Sequence, residues 1–353
     1  MRPFTSARAA RGFSMVELMV AMTIGLIGVI IIFQVFETSE GVRRTTVAGG
    51  DAQQNGAIAL YSLEHDLRNG GMGVNDTPYA GCNIVGYDSA RSTPNFPTAG
   101  NTMVLAPVQI TFGADAQTPD SISVFYGSQI QIANSTTLAA NMTSPTSQLV
   151  LQTRFGYRLG DLLLLSEPGK NCVFMEVTGL PTTSGDTNKV NHDTLTYTLS
   201  GGASVGSRFN PAGGMGVTYD GVSTSSVARV FNLGNLHDDL NFPASQNVTV
   251  PVYNTYAISN GKTLTVQNEF VISGGVPALN AVADNIVHLR AEYGLDDGAL
   301  GGTANDGLVD HYVSDVSGIP NWPQVVIAVH IAVVARSAQP EIGSGGVGTC
   351  DST

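Results

Sequence analysis

The chain has 353 residues, with 28 acidic against 16 basic side chains, a formal net charge of −12 and 41 glycines. So few cations leave little to neutralise phosphates, which argues against a nucleic-acid partner. The length exceeds that of a typical single domain, yet β-rich domains of about 200–250 residues are known.

The first informative stretch is residues 12–19, Gly-Phe-Ser-Met-Val-Glu-Leu-Met, and the apolar run that follows it to residue 36. Between residues 13 and 36 the one charged side chain is Glu17. A helix needs about 20 apolar residues to cross the hydrocarbon core, so the run is long enough to span a bilayer. Arg2, Arg8 and Arg11 precede it with no acid among them. Basic flanks of a single span stay on the cytoplasmic side, so the chain after residue 36 is expected outside the cytoplasm. No small-x-small cleavage site follows the run, unlike a secretory signal peptide. A carboxylate in hydrocarbon costs about 2.5–3.5 kcal/mol on insertion scales, so Glu17 calls for a partner.

Residues 37–70 stay helix-compatible and free of proline. Leu60, Leu63 and Leu67 recur at helical spacing beside Ile58 and Tyr61, predicting an apolar face. Glu64 and Arg68 form an i, i+4 pair. Gly70 and Gly71 end the helix. The spacing thus predicts one long helix, apolar over 13–36 and amphipathic over 37–70, packed on a folded domain.

Beyond residue 71, short apolar runs alternate with Gly, Pro, Asn, Ser and Thr, which reads as a β-rich domain over 71–342. The predicted strands are 103–112, 121–126, 148–153, 161–166, 173–178, 194–199, 227–233, 248–258, 263–272, 286–293 and 325–335. Residues 200–226 read as a long loop and 343–353 as a flexible tail. The fold class expected is α+β, a long N-terminal helix on a large antiparallel β-rich domain.

Three cysteines follow the apolar run: Cys82, Cys172 and Cys350. An oxidising compartment permits one bridge and leaves one thiol over. Cys82 with Cys172 is the preferred pair, and Cys350 is a competing partner. Asp296, Asp297, Asn305, Asp306 and Asp310 concentrate oxygen atoms in a glycine-rich loop. Calcium takes six to eight such ligands, so this set supplies its candidate ligands, with a solvated acidic hairpin as the alternative. No EF-hand series is present. Gly202-Ala203-Ser204-Val205-Gly206 matches Gly-x-Ser-x-Gly but lacks the following helix of a nucleophile elbow. The histidines are dispersed, Trp322 reads as a core anchor, and no convergent catalytic set or other cofactor site is visible.

Arg11-Gly12-Phe13-Ser14-Met15-Val16-Glu17-Leu18 resembles the class III signal of type IV prepilins and type II secretion pseudopilins. The resemblance implies that residues 1–12 are a leader, cut between Gly12 and Phe13 by a prepilin peptidase that also N-methylates Phe13. It implies that Glu17 faces the amino terminus of a neighbouring subunit during assembly. Losing the three leader arginines would leave 13 of the 16 basic side chains against 28 acids. Major pilins usually carry a proline in the apolar half of the helix. None occurs here between Pro3 and Pro78, which favours a minor subunit.

Residues 63–68, Gly81-Cys82, 160–164, 293–296, 309–312, Trp322 and 325–337 are similar to PilW-type minor pilins. That likeness implies a non-enzymatic protein held in the bacterial inner membrane with its β domain periplasmic, then carried onto the cell surface in a pilus. The implied partners are other minor pilins, the major pilin, the peptidase and a tip adhesin. The implied roles are priming of assembly at the pilus tip, adhesion and twitching motility. The alternatives are a type II secretion pseudopilin and a membrane-anchored extracytoplasmic enzyme or binding protein.

Overall fold

The computed structural model describes residues 12, 14–97, 102–127, 135–193, 195–199, 202–222, 227–235 and 251–337. Leader residues 1–11, Phe13, Cys350 and the tail at 343–353 lie outside the described residues. The chain divides into two compact units, residues 1–54 with 336–353 and residues 55–335.

In the first unit, helix α1 (Met15–Asn69) begins and runs without a proline. The Ser14 carbonyl accepts its first i+4 bond, from the Leu18 N–H, at 3.1 Å. Thr23, Thr38, Thr45 and Thr46 return their hydroxyls to backbone carbonyls three or four residues earlier. For Thr23, within the apolar stretch, this internal satisfaction lets a polar side chain ride on a helix in an apolar medium.

The second unit holds the last turns of α1 and, in chain order, β1 (Ile84–Tyr87), β2 (Asn95–Phe96), β3 (Val108–Thr111), β4 (Ser121–Tyr126), β5 (Ser135–Thr137) and β6 (Leu149–Val150). There follow β7 (Asp161–Ser166), β8 (Cys172–Glu176), β9 (Lys189–Val190), β10 (Thr196–Thr198), β11 (Ser204–Gly206) and β12 (Arg229–Asn235). The last are β13 (Val252–Ser259), β14 (Thr263–Ser273), β15 (Val276–Asp284), β16 (Ile286–Leu295), β17 (His311–Val313) and β18 (Val326–Ala335).

The larger sheets order as β2-β1-β8-β7-β12-β5, β15-β14-β13-β4-β3 and β17-β16-β18, with two ribbons β10-β11 and β6-β9. Pairing is antiparallel except β1 with β8, which is parallel at Ile84 with Cys172. Among the described residues this exception qualifies the expected antiparallel domain.

Strand β7 shows why the first of these sheets is central. Its sequence is Asp-Leu-Leu-Leu-Leu-Ser and every residue is buried. Leu162 and Leu164 enter a core with Phe174, Phe231 and Leu233, while Leu163 and Leu165 enter another with Met175 and Val230. A strand covered on both faces needs a continuous apolar run rather than an alternating one. The first of these cores is rich in rings: Phe96 lies edge-on to Phe174 at 5.1 Å and stacks on Phe270 at 5.4 Å.

A third core joins α1 to β4, β13 and β16 through Ala59, Leu63, Val124, Tyr256, Leu289 and Tyr293. The helix face that packs is therefore Ala59, Leu63 and Asp66, with Leu67 partly covered. Ile58, Leu60 and Tyr61, expected on that face, are exposed. Residues at i, i+4 and i+7 share a face, and Leu60 sits about 100° round from Ala59. Gly71 closes the helix in the left-handed region at φ +81°, its N–H donating to the Phe125 carbonyl at 2.8 Å.

The expected long loop at 200–226 contains β11, paired with β10. The strands β1, β2, β5, β9, β15 and β17 lie outside the expected set, because each is short or borders solvent and lacks an apolar run.

Candidate functional site

The residues singled out for processing and assembly lie at the start of α1. Gly12 is exposed, and a side chain there would meet nothing within 4 Å. The Ser14 N–H donates to Glu17 Oε2 at 3.5 Å. This long bond has the geometry of the returning half of a capping box, Ser-x-x-Glu. Glu17 is exposed, and so are the apolar residues on either side of it. None of the most apolar stretch of α1 is buried within the protein. A face this apolar and this uncovered requires lipid or other helices around it. One carboxylate then sits among hydrocarbon with only a long backbone bond to serve it among the described residues, which suits an external cation.

The second element is the join between α1 and the sheet. Asp66 is buried, and its Oδ2 accepts the Tyr256 hydroxyl and Asn254 Nδ2, each at 2.7 Å. Its Oδ1 accepts the Tyr126 hydroxyl at 3.1 Å. The carboxylate and burial push both phenols above their ordinary range, with burial the larger cause. The helical spacing held the signal for this residue, since Asp66 falls three positions after Leu63 on the packed face.

Cys82 and Cys172 form a disulfide, as preferred, with Cα atoms 5.7 Å apart. The bridge stands beside the start of the β1–β8 pair and ties segments 90 residues apart.

The acidic residues of the 296–310 loop serve its own backbone. Buried Asp296 accepts the N–H groups of Asn305 at 2.5 Å, Asp306 at 3.3 Å and Gly307 at 2.8 Å. Asp310 accepts from the Gly298 N–H at 2.7 Å, Asp297 from Ala299 at 3.0 Å and Asp306 from Leu308 at 2.9 Å. The structure brings the calcium candidates into one loop and turns the carboxylates of its four aspartates onto backbone amides. Among the described residues no group of three or more His, Cys, Asp or Glu is placed to hold a metal ion. Ser204 lies in a two-stranded ribbon, and Trp322 packs on Tyr293 with ring centroids 4.9 Å apart.

One buried network was invisible in the sequence. Asp88 receives Arg208 through Nε at 2.5 Å and Nη2 at 2.7 Å, and Arg91 Nε at 3.0 Å. Arg91 Nη2 also donates to Glu269 Oε2 at 2.8 Å. Glu176, fully buried, accepts the Tyr197 hydroxyl and the Arg208 N–H, each at 2.5 Å. Asp88 and Arg91 are three positions apart, but Glu176, Arg208 and Glu269 share no local spacing with them, so only the fold assembles the set. They clamp β8, β14 and two loops around the phenylalanine core. Each carboxylate has a hydrogen-bonded partner, the condition under which buried charge is tolerated.

Two family models match the chain. Type IV Pilus-assembly protein W matches residues 255–349, and the prokaryotic N-terminal methylation motif matches residues 7–33. No curated protein and no solved structure matches. The first match falls on the end of the β domain, from within β13 onward, and the second on Gly12, Glu17 and the start of α1.

Proposed function

We propose that this chain, a PilW-type pilin with a class III signal by its two family matches, is a minor pilin of type IV pili. The observation that carries the reading is the presence of both matches in one chain, the methylation motif at 7–33 and the PilW match at 255–349. In this reading the prepilin peptidase cuts between Gly12 and Phe13 and methylates the new amino terminus. The protein waits in the inner membrane with its β domain in the periplasm. The exposed apolar length of α1 then passes from lipid into the filament core. Glu17 exchanges its long Ser14 bond for the amino terminus of an adjacent subunit.

The role is structural rather than enzymatic. The subunit joins other minor pilins in a priming complex at the pilus tip, contacts the major pilin and a tip adhesin, and supports adhesion and twitching motility. The buried Asp66 junction supports this division of labour, because it fastens the end of the assembly helix to the domain that it carries.

The test is the intact mass and N-terminal sequence of the membrane-extracted protein, with and without the peptidase. A chain that begins at methylated Phe13 only when the peptidase is present supports the reading. A chain that begins at Met1 in both overturns it. Loss of type II secretion with pili intact, on deletion of the gene, would assign the subunit to the secretion system instead.

A further inference from the structure

We infer that the cleft between the β3–β4 connection and the outward face of β16 and β18 receives a lysine or arginine side chain from a neighbouring pilus subunit. The identity of the neighbour rests on the pilin reading; the chemistry of the cleft does not.

The cleft has a volume of about 450 Å³. That lies within the range of sites that enclose a ligand group. Phe112, Ala116 and Ala332 give it apolar walls, and the acidic residues Asp115, Asp120 and Glu292 line it. Alternation along β16 sets Arg290 and Glu292 on one face, opposite Ala332 and His330 of β18 in register.

The cation already in the cleft is spent. Arg290 donates through Nη1 to Asp120 Oδ1 at 2.8 Å and through Nη2 to the Asp115 carbonyl at 2.5 Å. Asp120 is buried and also takes the N–H groups of Gly113 and Ala291 at 2.8 and 2.9 Å. Arg290 and Asp120 therefore cancel. The charge that remains belongs to Asp115 and Glu292, with His330 Nδ1 3.5 Å from Glu292. The Asp115 carboxylate accepts the Thr118 hydroxyl and the Thr118 and Gln117 N–H groups, which hold it in its ionised form. No lysine or arginine occurs from residue 291 to 335 to supply a counter-charge from the same stretch.

A long cationic side chain matches these parts. Its aliphatic stem lies along apolar walls while its head stays at carboxylates near water. A metal ion matches them poorly, because Asp115, Asp120, Glu292 and His330 line the cleft without forming a ligand group.

The test uses the full chain in detergent micelles, isotope-labelled and titrated with N-acetyl-lysine methylamide or its norleucine counterpart. Saturable shifts at the Glu292, His330 and Ala332 amides with the lysine compound alone are expected. Glu292→Gln should weaken that binding about threefold to fivefold, as for a partly exposed ion pair. Equal shifts with norleucine, shifts centred elsewhere, an unaltered Glu292→Gln titration, or the same shifts produced by calcium alone would each overturn the inference.

Carbodiimide treatment of intact pili then tests the neighbour. A Glu292 or Asp115 cross-link to a lysine of another pilus subunit is expected, absent in the Glu292→Gln, Asp115→Asn variant. Cross-links at other carboxylates of this chain, with none at these two, would remove the neighbour from the proposal. Absence of the unmodified chain from pili would instead sink the pilin reading and leave the titration to decide the cleft.

Discussion

The Tyr256 hydroxyl, on β13, donates to the Asp66 carboxylate of α1 across 2.7 Å. Tyr126 and Asn254 complete the clasp from β4 and β13. The residue that fixes the helix to the sheet is thus polar and central to the packed face, with Ala59 and Leu63 beside it in the core. Removing Asp66 takes the carboxylate from two buried phenols and a half-buried amide, leaving Tyr256 only the Ser62 carbonyl at 3.3 Å, whereas removing one phenol hydroxyl leaves a carboxylate with two good partners. Asp66→Ala should therefore destabilise the β domain by about 3–5 kcal/mol, and Tyr256→Phe by about 1–2 kcal/mol. Denaturant unfolding of the two single variants and the double variant measures this. A double variant little worse than Asp66→Ala is expected, since the hydroxyl then keeps only its long bond to the Ser62 carbonyl.

The Cys82–Cys172 bridge closes a separation of 90 residues and stands beside the parallel β1–β8 pair. Parallel pairing of short strands brings few hydrogen bonds, so the cross-link carries much of that junction. Replacing both cysteines by serine should cost about 2–5 kcal/mol. Unfolding curves with and without reductant should differ for the natural chain and coincide for the double serine variant. Coincidence of the two curves for the natural chain would remove the bridge from the account of stability.

Legibility in the sequence differs by element. Strand β7 was read at its observed bounds because four consecutive leucines can be satisfied only between two cores. Strand β15 went unread because it borders its sheet. Val276 and Leu279 face solvent, and Pro277 and Asn280 break the apolar pattern. Leu60 and Tyr61 were drawn to the core by their hydrophobicity, but small Ala59 and charged Asp66 take the packed positions. The methylation-motif segment was legible because its residues stand next to one another in the chain, and the family model matches them over residues 7–33. The Asp88, Arg91, Arg208, Glu269 and Glu176 network was not, because, the i, i+3 pair Asp88–Arg91 apart, its members come from β8, β14 and a distant loop.

Buried His192 gives a pH signature with a definite sign. Its Nε2–H donates to the Ser147 carbonyl at 2.9 Å, and burial pushes the imidazole below its ordinary range. The unfolded chain takes up a proton near pH 6.5 while the folded chain still excludes it. This contribution to stability is full above about pH 6.5 and is lost as the pH falls toward the lowered folded value. Asp161 has the opposite sign, because burial raises its carboxyl and its contribution is lost as pH rises. Comparison with His192→Gln, which keeps an N–H for Ser147, isolates the imidazole. Stability of the natural chain minus that of the variant should fall between about pH 7 and pH 5. A difference independent of pH would mean that the imidazole titrates alike in both states.

Glu17 and Asp66 are carboxylates on the same helix with opposite demands, and that contrast yields the most discriminating variant. Asp66 finds its partners within the β domain, whereas Glu17 is exposed and, among the described residues, served by one long bond from Ser14. Glu17→Ala should leave the denaturation curve of the β domain superimposable on that of the natural chain. In the pilin reading it should still allow cleavage after Gly12, because the cut precedes the helix, yet it should strongly reduce the amount recovered in sheared pili. Glu17→Gln should lower recovery similarly, since an amide cannot neutralise a neighbour's ammonium in a low-dielectric filament core. Immunoblots of membrane and pilus fractions, with the intact mass of the membrane form, measure these outcomes. Normal recovery of both variants would show that charge at position 17 is dispensable and would leave the apolar face of α1 as the sole basis for assembly.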